Sequence, residues 1–197
     1  TILMNYYKIF QIISNLIMNL EINKFSRIFL IGQSGSGKTT IGKILADKLS
    51  FEFIDTDTCI TSEMKLSIKE IFNTMGEQFF RQKEIELLKN IDRSKKIVIS
   101  TGGGLPEISN SFKLMKKNGF IIWINTSPKE IERRLVSSNR GHRPLLFNND
   151  LDLIENLEEQ LKKRYDVYSK ADLIIKNDNI NEIECSELIL EKLSNYE

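Results

Sequence analysis

The stretch RIFLIGQSGSGKTTIGKILADKL, residues 27–49, decides the fold of this 197-residue chain. Its opening run, RIFLI (27–31), is apolar without alternation, as a strand buried on both faces must be. Its closing run puts Ile41, Ile44, Leu45 and Leu49 on one helical stripe. Between them Gly32 to Thr39, GQSGSGKT, fits G-x-x-x-x-G-K-S/T in the setting that pattern requires, a strand before and a helix after. Glycines let the backbone wrap closely around an anion, and successive N–H groups and the helix N-terminus then point at phosphates. Lys38 would reach the β- and γ-phosphates and the Thr39 hydroxyl would bind Mg2+. The stretch therefore implies a P-loop holding a nucleoside triphosphate.

Working outward, FEFI (51–54), KIVIS (96–100), FIIWI (120–124) and DLIIK (172–176) read as further buried parallel strands. Helical patterns lie between them. Ile154, Leu157, Leu161, Tyr165 and Tyr168 form a second stripe, and SPKE (127–130) is a helix start with Ser127 as N-cap, Pro128 in the first turn and Glu130 closing a capping box. The repeated βαβα order implies an α/β fold, a parallel sheet with helices on both faces. Residues 1–25 read differently. IFQIISNLIMNL (9–20) is interrupted by Gln11, Ser14, Asn15 and Asn19, too short to span a bilayer and without a small-residue cleavage site. The chain begins with Thr, and Met18 stands shortly before the first strand, so residues 1–17 read as upstream sequence or an appended helix. Residues 26–197 read as a single domain.

Charge excludes one class of partner. Lys and Arg total 28 against 27 Asp and Glu, so there is no basic excess for nucleic acid, and a small substrate is expected. Cys59 and Cys185 stand far apart with no C-x-x-C pattern, which fits a reducing compartment and ordinary packing roles.

A P-loop names the donor and leaves the acceptor to other clusters. FIDTDTC (53–59) sets Asp55 and Asp57 two apart after an apolar run. If the strand continues, both carboxylates point the same way at the carboxyl edge of the sheet, where a cation and an acceptor hydroxyl would offset their repulsion. TGGG (101–104) follows the third strand and leaves room for a ligand against bare backbone, unless it is a plain surface turn. Arg164 follows Leu157 by seven and so lies on the apolar face of its helix. Either its head snorkels to water or it projects into a site holding an anion. Arg81, beside Phe79 and Phe80, faces the same choice, with the solvated reading ahead.

Together GQSGSGKTT, DTD, GEQFFRQKE, TGGG, RPLL and RYDVYSKAD, in that order over about 27–193, resemble the shikimate kinase family. The resemblance implies a three-layer sandwich around a five-stranded parallel sheet, of the P-loop nucleoside-monophosphate-kinase type. It implies ATP as donor, with Mg2+, and the 3-hydroxyl of shikimate as acceptor. Carried over by motif, Gly35, Ser36, Gly37, Lys38, Thr39 and Thr40 bind ATP. Asp57 binds the shikimate hydroxyls and acts as base, and Asp55 helps order the Mg2+ shell, through water. Arg81 and Arg164 clamp the carboxylate, with a backbone N–H from Gly103 nearby. Residues of about 55–85 form the substrate-binding segment and 138–149 the lid, where Arg143 closes on the ATP phosphates; Lys38, Asp57 and Arg143 are the catalytic set. His142, the one histidine, reads as a lid-surface residue. Guanidinium forks suit a planar carboxylate, as lysine does not.

The chain departs from the family in two places. Val136 falls where many members carry an adenine-stacking arginine, with Arg133, Arg134 and Arg140 nearby, and RYDVYSKAD lacks the Asn-Pro often seen after the substrate arginine. The adenine walls, one of them within 177–181, are thus unassigned. Two alternatives stand beside the main reading: a P-loop kinase of gluconate or a nucleotide, and a catalytically silent regulator. The first has no use for two arginines and a glycine triplet around one carboxylate; the second should have lost Lys38, Asp57 or Arg143. A cytoplasmic monomer is expected, with no membrane or nucleic-acid partner. The Asn/Lys/Ile bias of the N-terminus argues against a plastid transit segment.

Overall fold

The computed structural model describes residues 24–108, 110–137 and 153–196. Strands β1 (Arg27–Ile31), β2 (Glu52–Asp55), β3 (Ile97–Ser100), β4 (Phe120–Asn125) and β5 (Leu173–Lys176) make one sheet, ordered β2-β3-β1-β4-β5 with every pair parallel. Each lies within one residue of its apolar run. The helices are α1 (Lys38–Leu49), α2 (Thr56–Met64), α3 (Ile68–Met75), α4 (Glu77–Asn90), α5 (Ser111–Asn118), α6 (Pro128–Ser137), α7 (Leu153–Tyr168) and α8 (Glu182–Ser194).

Successive strand residues feed opposite faces, which is why the strands are apolar throughout. Ile28 and Leu30 of β1 join Ile41 and Leu45 of α1 and Ile189 and Leu193 of α8 in one cluster. Phe29 and Ile31 join Leu88 of α4, Met115 of α5 and Tyr168 of α7 in the other. Each such side chain, once buried, contributes about 1.5–3 kcal/mol, so the two clusters hold the three layers together. Helices α2 to α4 carry a small cluster of their own around Ile60, Ile71 and Phe80. Among the described residues no helix is long and apolar enough to cross a membrane.

Three local expectations change. The chain leaves β2 at Asp55, which caps α2 by accepting from the Thr58 N–H, so Asp57 sits in the first helical turn and the two carboxylates do not share a strand face. An N-cap aspartate satisfies otherwise orphaned amides, and that won over strand continuation. At SPKE, Ser127 Oγ accepts from the Glu130 N–H at 3.3 Å, but Glu130 turns to Arg133 and Arg134. Asp178 accepts from the Ser127 N–H instead. On α7, Leu157, Leu161 and Tyr168 pack into the core, while Tyr165 is 54% exposed and meets the stripe only at its rim, edge-on to Trp123 at 5.7 Å. The expected lid, with Arg143 and His142, and most of the N-terminal extension lie outside the described residues.

Candidate active site

The carboxyl ends of β1, β2 and β3 deliver the P-loop, Asp55 and the glycine triplet to one edge of the sheet, where open α/β sheets bind ligands. Gly37, at φ 93°, turns the loop into α1 in a conformation that favours glycine. Lys38 Nζ donates to the carbonyls of Gly32 at 2.8 Å and Gln33 at 2.7 Å. Ser36 is buried and serves through its carbonyl, which accepts from Asn177 Nδ2 at 2.8 Å and Thr126 Oγ1 at 3.2 Å. Thr40 is exposed at the start of α1. Thr39 Oγ1 donates to Asp55 Oδ2 at 2.7 Å and stands 3.5 Å from Ser100 Oγ. These are hard oxygen ligands of the kind Mg2+ prefers. Among the described residues no group of three His, Cys, Asp or Glu side chains forms a metal cage.

Beside the P-loop lies a cavity of about 200 Å³, smaller than a drug-sized ligand needs. Asp57, Arg81, Gly103 and Arg164, the four expected substrate ligands, all line it, and Ser34 of the P-loop forms part of its wall. A larger cavity, about 450 Å³ at the β2 edge, shares no residue with the P-loop or with this cavity.

Each arginine has its own scaffold. Arg81 donates from Nε and Nη2 to Glu77 Oε1 and from Nη1 to Glu84 Oε2 at 2.8 Å, its guanidinium lying over the Phe72 and Phe80 rings. Its side chain is 22% exposed, so the solvated reading fails. Burial opposes the Arg81 charge, but the two carboxylates more than offset this and hold its pKa above the usual value. Burial pushes Glu84 up to about 7, while Arg81 pulls it down and Asp57 and Glu77 push it up. Glu84 Oε1 and Asp57 Oδ1 crowd Gly102, where a Cβ would come within 2.5 Å and 2.7 Å of them. A larger residue there would displace one of the two carboxyl groups.

Arg164 is 15% exposed and donates from Nε to Glu107 Oε2 at 2.8 Å and from Nη1 to Gln160 Oε1 at 3.0 Å. Its head does not snorkel to water; it lines the cavity. Tyr168, one turn on, donates to the Gly103 carbonyl at 2.6 Å and fixes the triplet against α7.

Sequence reasoning missed these supports. Glu77 and Glu84 stand four before and three after Arg81, and Gln160 four before Arg164, so helical spacing carried a signal. Glu107, 57 residues from Arg164, carried none. On the nucleotide side, Arg134 donates to the Asn177 and Ile180 carbonyls and so ties the 177–181 loop to α6, while Arg133 pairs with Glu130. Val136 is 74% exposed.

A family model described as Shikimate kinase matches residues 34–194. The curated shikimate kinase of Clostridium botulinum (strain Langeland) is 43% identical over 155 residues, 79% of this chain and 89% of the relative. Two solved structures are similar. The shikimate kinase of Bacteroides thetaiotaomicron has a TM-score of 0.74 and 34% identity, covering 86% of this chain and 98% of its own. That of Acinetobacter baumannii, in complex with shikimate, has a TM-score of 0.77 and 30% identity, covering 86% and 94%.

Proposed function

The chain belongs to the shikimate kinase family and is a phosphotransferase using ATP and shikimate; on that premise we propose how its residues move the phosphoryl group to the 3-hydroxyl. The observation that carries the assignment is the cavity that brings Asp57, Arg81, Gly103 and Arg164 together against the P-loop. Arg81 and Arg164 hold the shikimate carboxylate, with the Gly103 N–H beside it. Asp57 aligns the acceptor hydroxyl and takes its proton. Gly35 to Thr40 wrap the ATP phosphates, and Lys38 exchanges its bonds to the Gly32 and Gln33 carbonyls for phosphate oxygens. Thr39 and Asp55 are the residues that would hold Mg2+, which when bound would neutralise charge at the phosphates. Arg143, which lies outside the described residues, is assigned to the ATP phosphates by its place in the family motif.

Residues 55–85 act as the acceptor-binding segment, supported by the separate cluster in α2 to α4. Donor and acceptor sites sit on one chain, so a monomer suffices. Cys59 and Cys185, both free thiols, agree with a reducing cytoplasm.

The test is ADP release with shikimate, gluconate and nucleoside monophosphates offered separately. Release with shikimate alone is expected. Equal release with another acceptor overturns the acceptor assignment, and no release with any favours the silent regulator.

A further inference from the structure

The two arginines of the acceptor cavity are built alike but held by different groups. Four residues before Arg81 on α4 stands a carboxylate, Glu77; four residues before Arg164 on α7 stands an amide, Gln160. Arg81 meets two carboxyl groups, the exposed Glu77 and the buried Glu84, whereas Arg164 meets one carboxylate, Glu107, and one amide, Gln160.

We propose that Gln160 is a positioning and specificity residue, which orients Arg164 through its Oε1 while leaving that guanidinium's charge to the anionic group of the acceptor. The inference rests on the reading of Arg164 as a carboxylate ligand and adds what holds that guanidinium in place without competing for it. Three observations carry it. Gln160 itself lines the cavity with Arg164. Its Nε2 donates to Asn156 Oδ1 at 2.9 Å, which turns its carbonyl oxygen toward Arg164 Nη1 at 3.0 Å. Asn156 is 5% exposed, so this orientation is set from inside the protein. A neutral amide accepts one hydrogen bond and adds no charge. Glutamate there would reproduce the Arg81 arrangement and compete with the substrate carboxylate for the guanidinium.

The test compares Gln160→Met and Gln160→Glu with the parent, using full-length protein, shikimate and its uncharged methyl ester as acceptors, and thermal unfolding as a folding control. Gln160→Met removes one bond to a charged group and should raise KM for shikimate about ten-fold. Gln160→Glu, the closer match in shape, should raise it further, by about thirty-fold or more, because a charge at hydrogen-bond distance acts in a partly buried site. Binding of the ester should move far less, so the preference for acid over ester shrinks in the same order, and KM for ATP should hold. A role in packing alone predicts the reverse order, with Gln160→Glu the milder change. That order, or two parent-like variants, overturns the proposal. Arg164→Met separates the two levels. If it binds shikimate like the parent, the carboxylate reading of the site falls; if it fails to bind while both Gln160 variants match the parent, only the role of Gln160 falls.

Discussion

Arg81 commits three donors to Glu77 and Glu84, and Glu84 has no exposed side-chain surface. Removing the arginine therefore has two consequences that need separating. Arg81→Ala should cost about 2–5 kcal/mol in shikimate binding, the range for truncating one partner of a buried charge pair. Above pH 7, where Glu84 ionises, it should also cost about 3 kcal/mol of stability, since it strands a buried carboxylate. The double variant Arg81→Ala/Glu84→Gln should regain much of the stability and none of the binding. Thermal unfolding and calorimetric titration with shikimate read the two effects independently, and ATP affinity should stay near the parent value. A double variant that recovers shikimate binding would show that Arg81 acts only by neutralising Glu84.

The joint between β2 and α2 shows how an element boundary decides chemistry. Asp55 does two jobs with two oxygens: Oδ1 accepts from the Thr58 N–H at 3.0 Å and caps α2, and Oδ2 accepts from Thr39 Oγ1 at 2.7 Å. Spacing showed the two carboxylates in the sequence but not this division of labour, because a strand and a capped helix both accommodate FIDTD until the backbone direction is known. The P-loop posed no such problem; its strand, turn and helix are contiguous and each confirms the others. Asp55→Asn separates the two jobs. Asparagine is an equally good N-cap, so stability should stay within about 0.5 kcal/mol of the parent. The lost charge should lower activity by about 10–100-fold at limiting Mg2+, as loss of a ligand-orienting partner does. The measurement is turnover against Mg2+ concentration beside a urea unfolding curve; an unchanged Mg2+ dependence would remove Asp55 from the metal site.

Across the whole molecule, the sheet was legible because strands buried on both faces announce themselves as short apolar runs, whereas charged groups reveal partners only when the chain folds back. Glu84 has the spacing of an ordinary surface ion pair with Arg81, yet it is fully buried against Asp57 and Gly102, and no one-dimensional pattern encodes that burial. Its consequence extends to global stability. Glu84 holds its proton up to about pH 7 in the folded protein, against a usual 4.5. Between those values the unfolded chain has released a proton that the folded chain keeps, so unfolding free energy falls as pH rises, by at most about 3 kcal/mol. Glu130 works on the other side. Arg133 first, and Arg134 with it, hold its carboxyl down to about 2, so its contribution is present above 4.5 and is lost as pH falls toward 2. From these two groups, stability should be greatest near pH 4.5–5 and decline in both directions. Glu84→Gln keeps an acceptor for Arg81 Nη1 and removes the titration, so it should flatten the decline between pH 4.5 and 7 and leave the acid limb intact. Urea midpoints measured from pH 3 to 8 on parent and variant decide the matter: a decline that persists unchanged in Glu84→Gln means another group carries it, and Glu84 is ionised in the folded protein throughout.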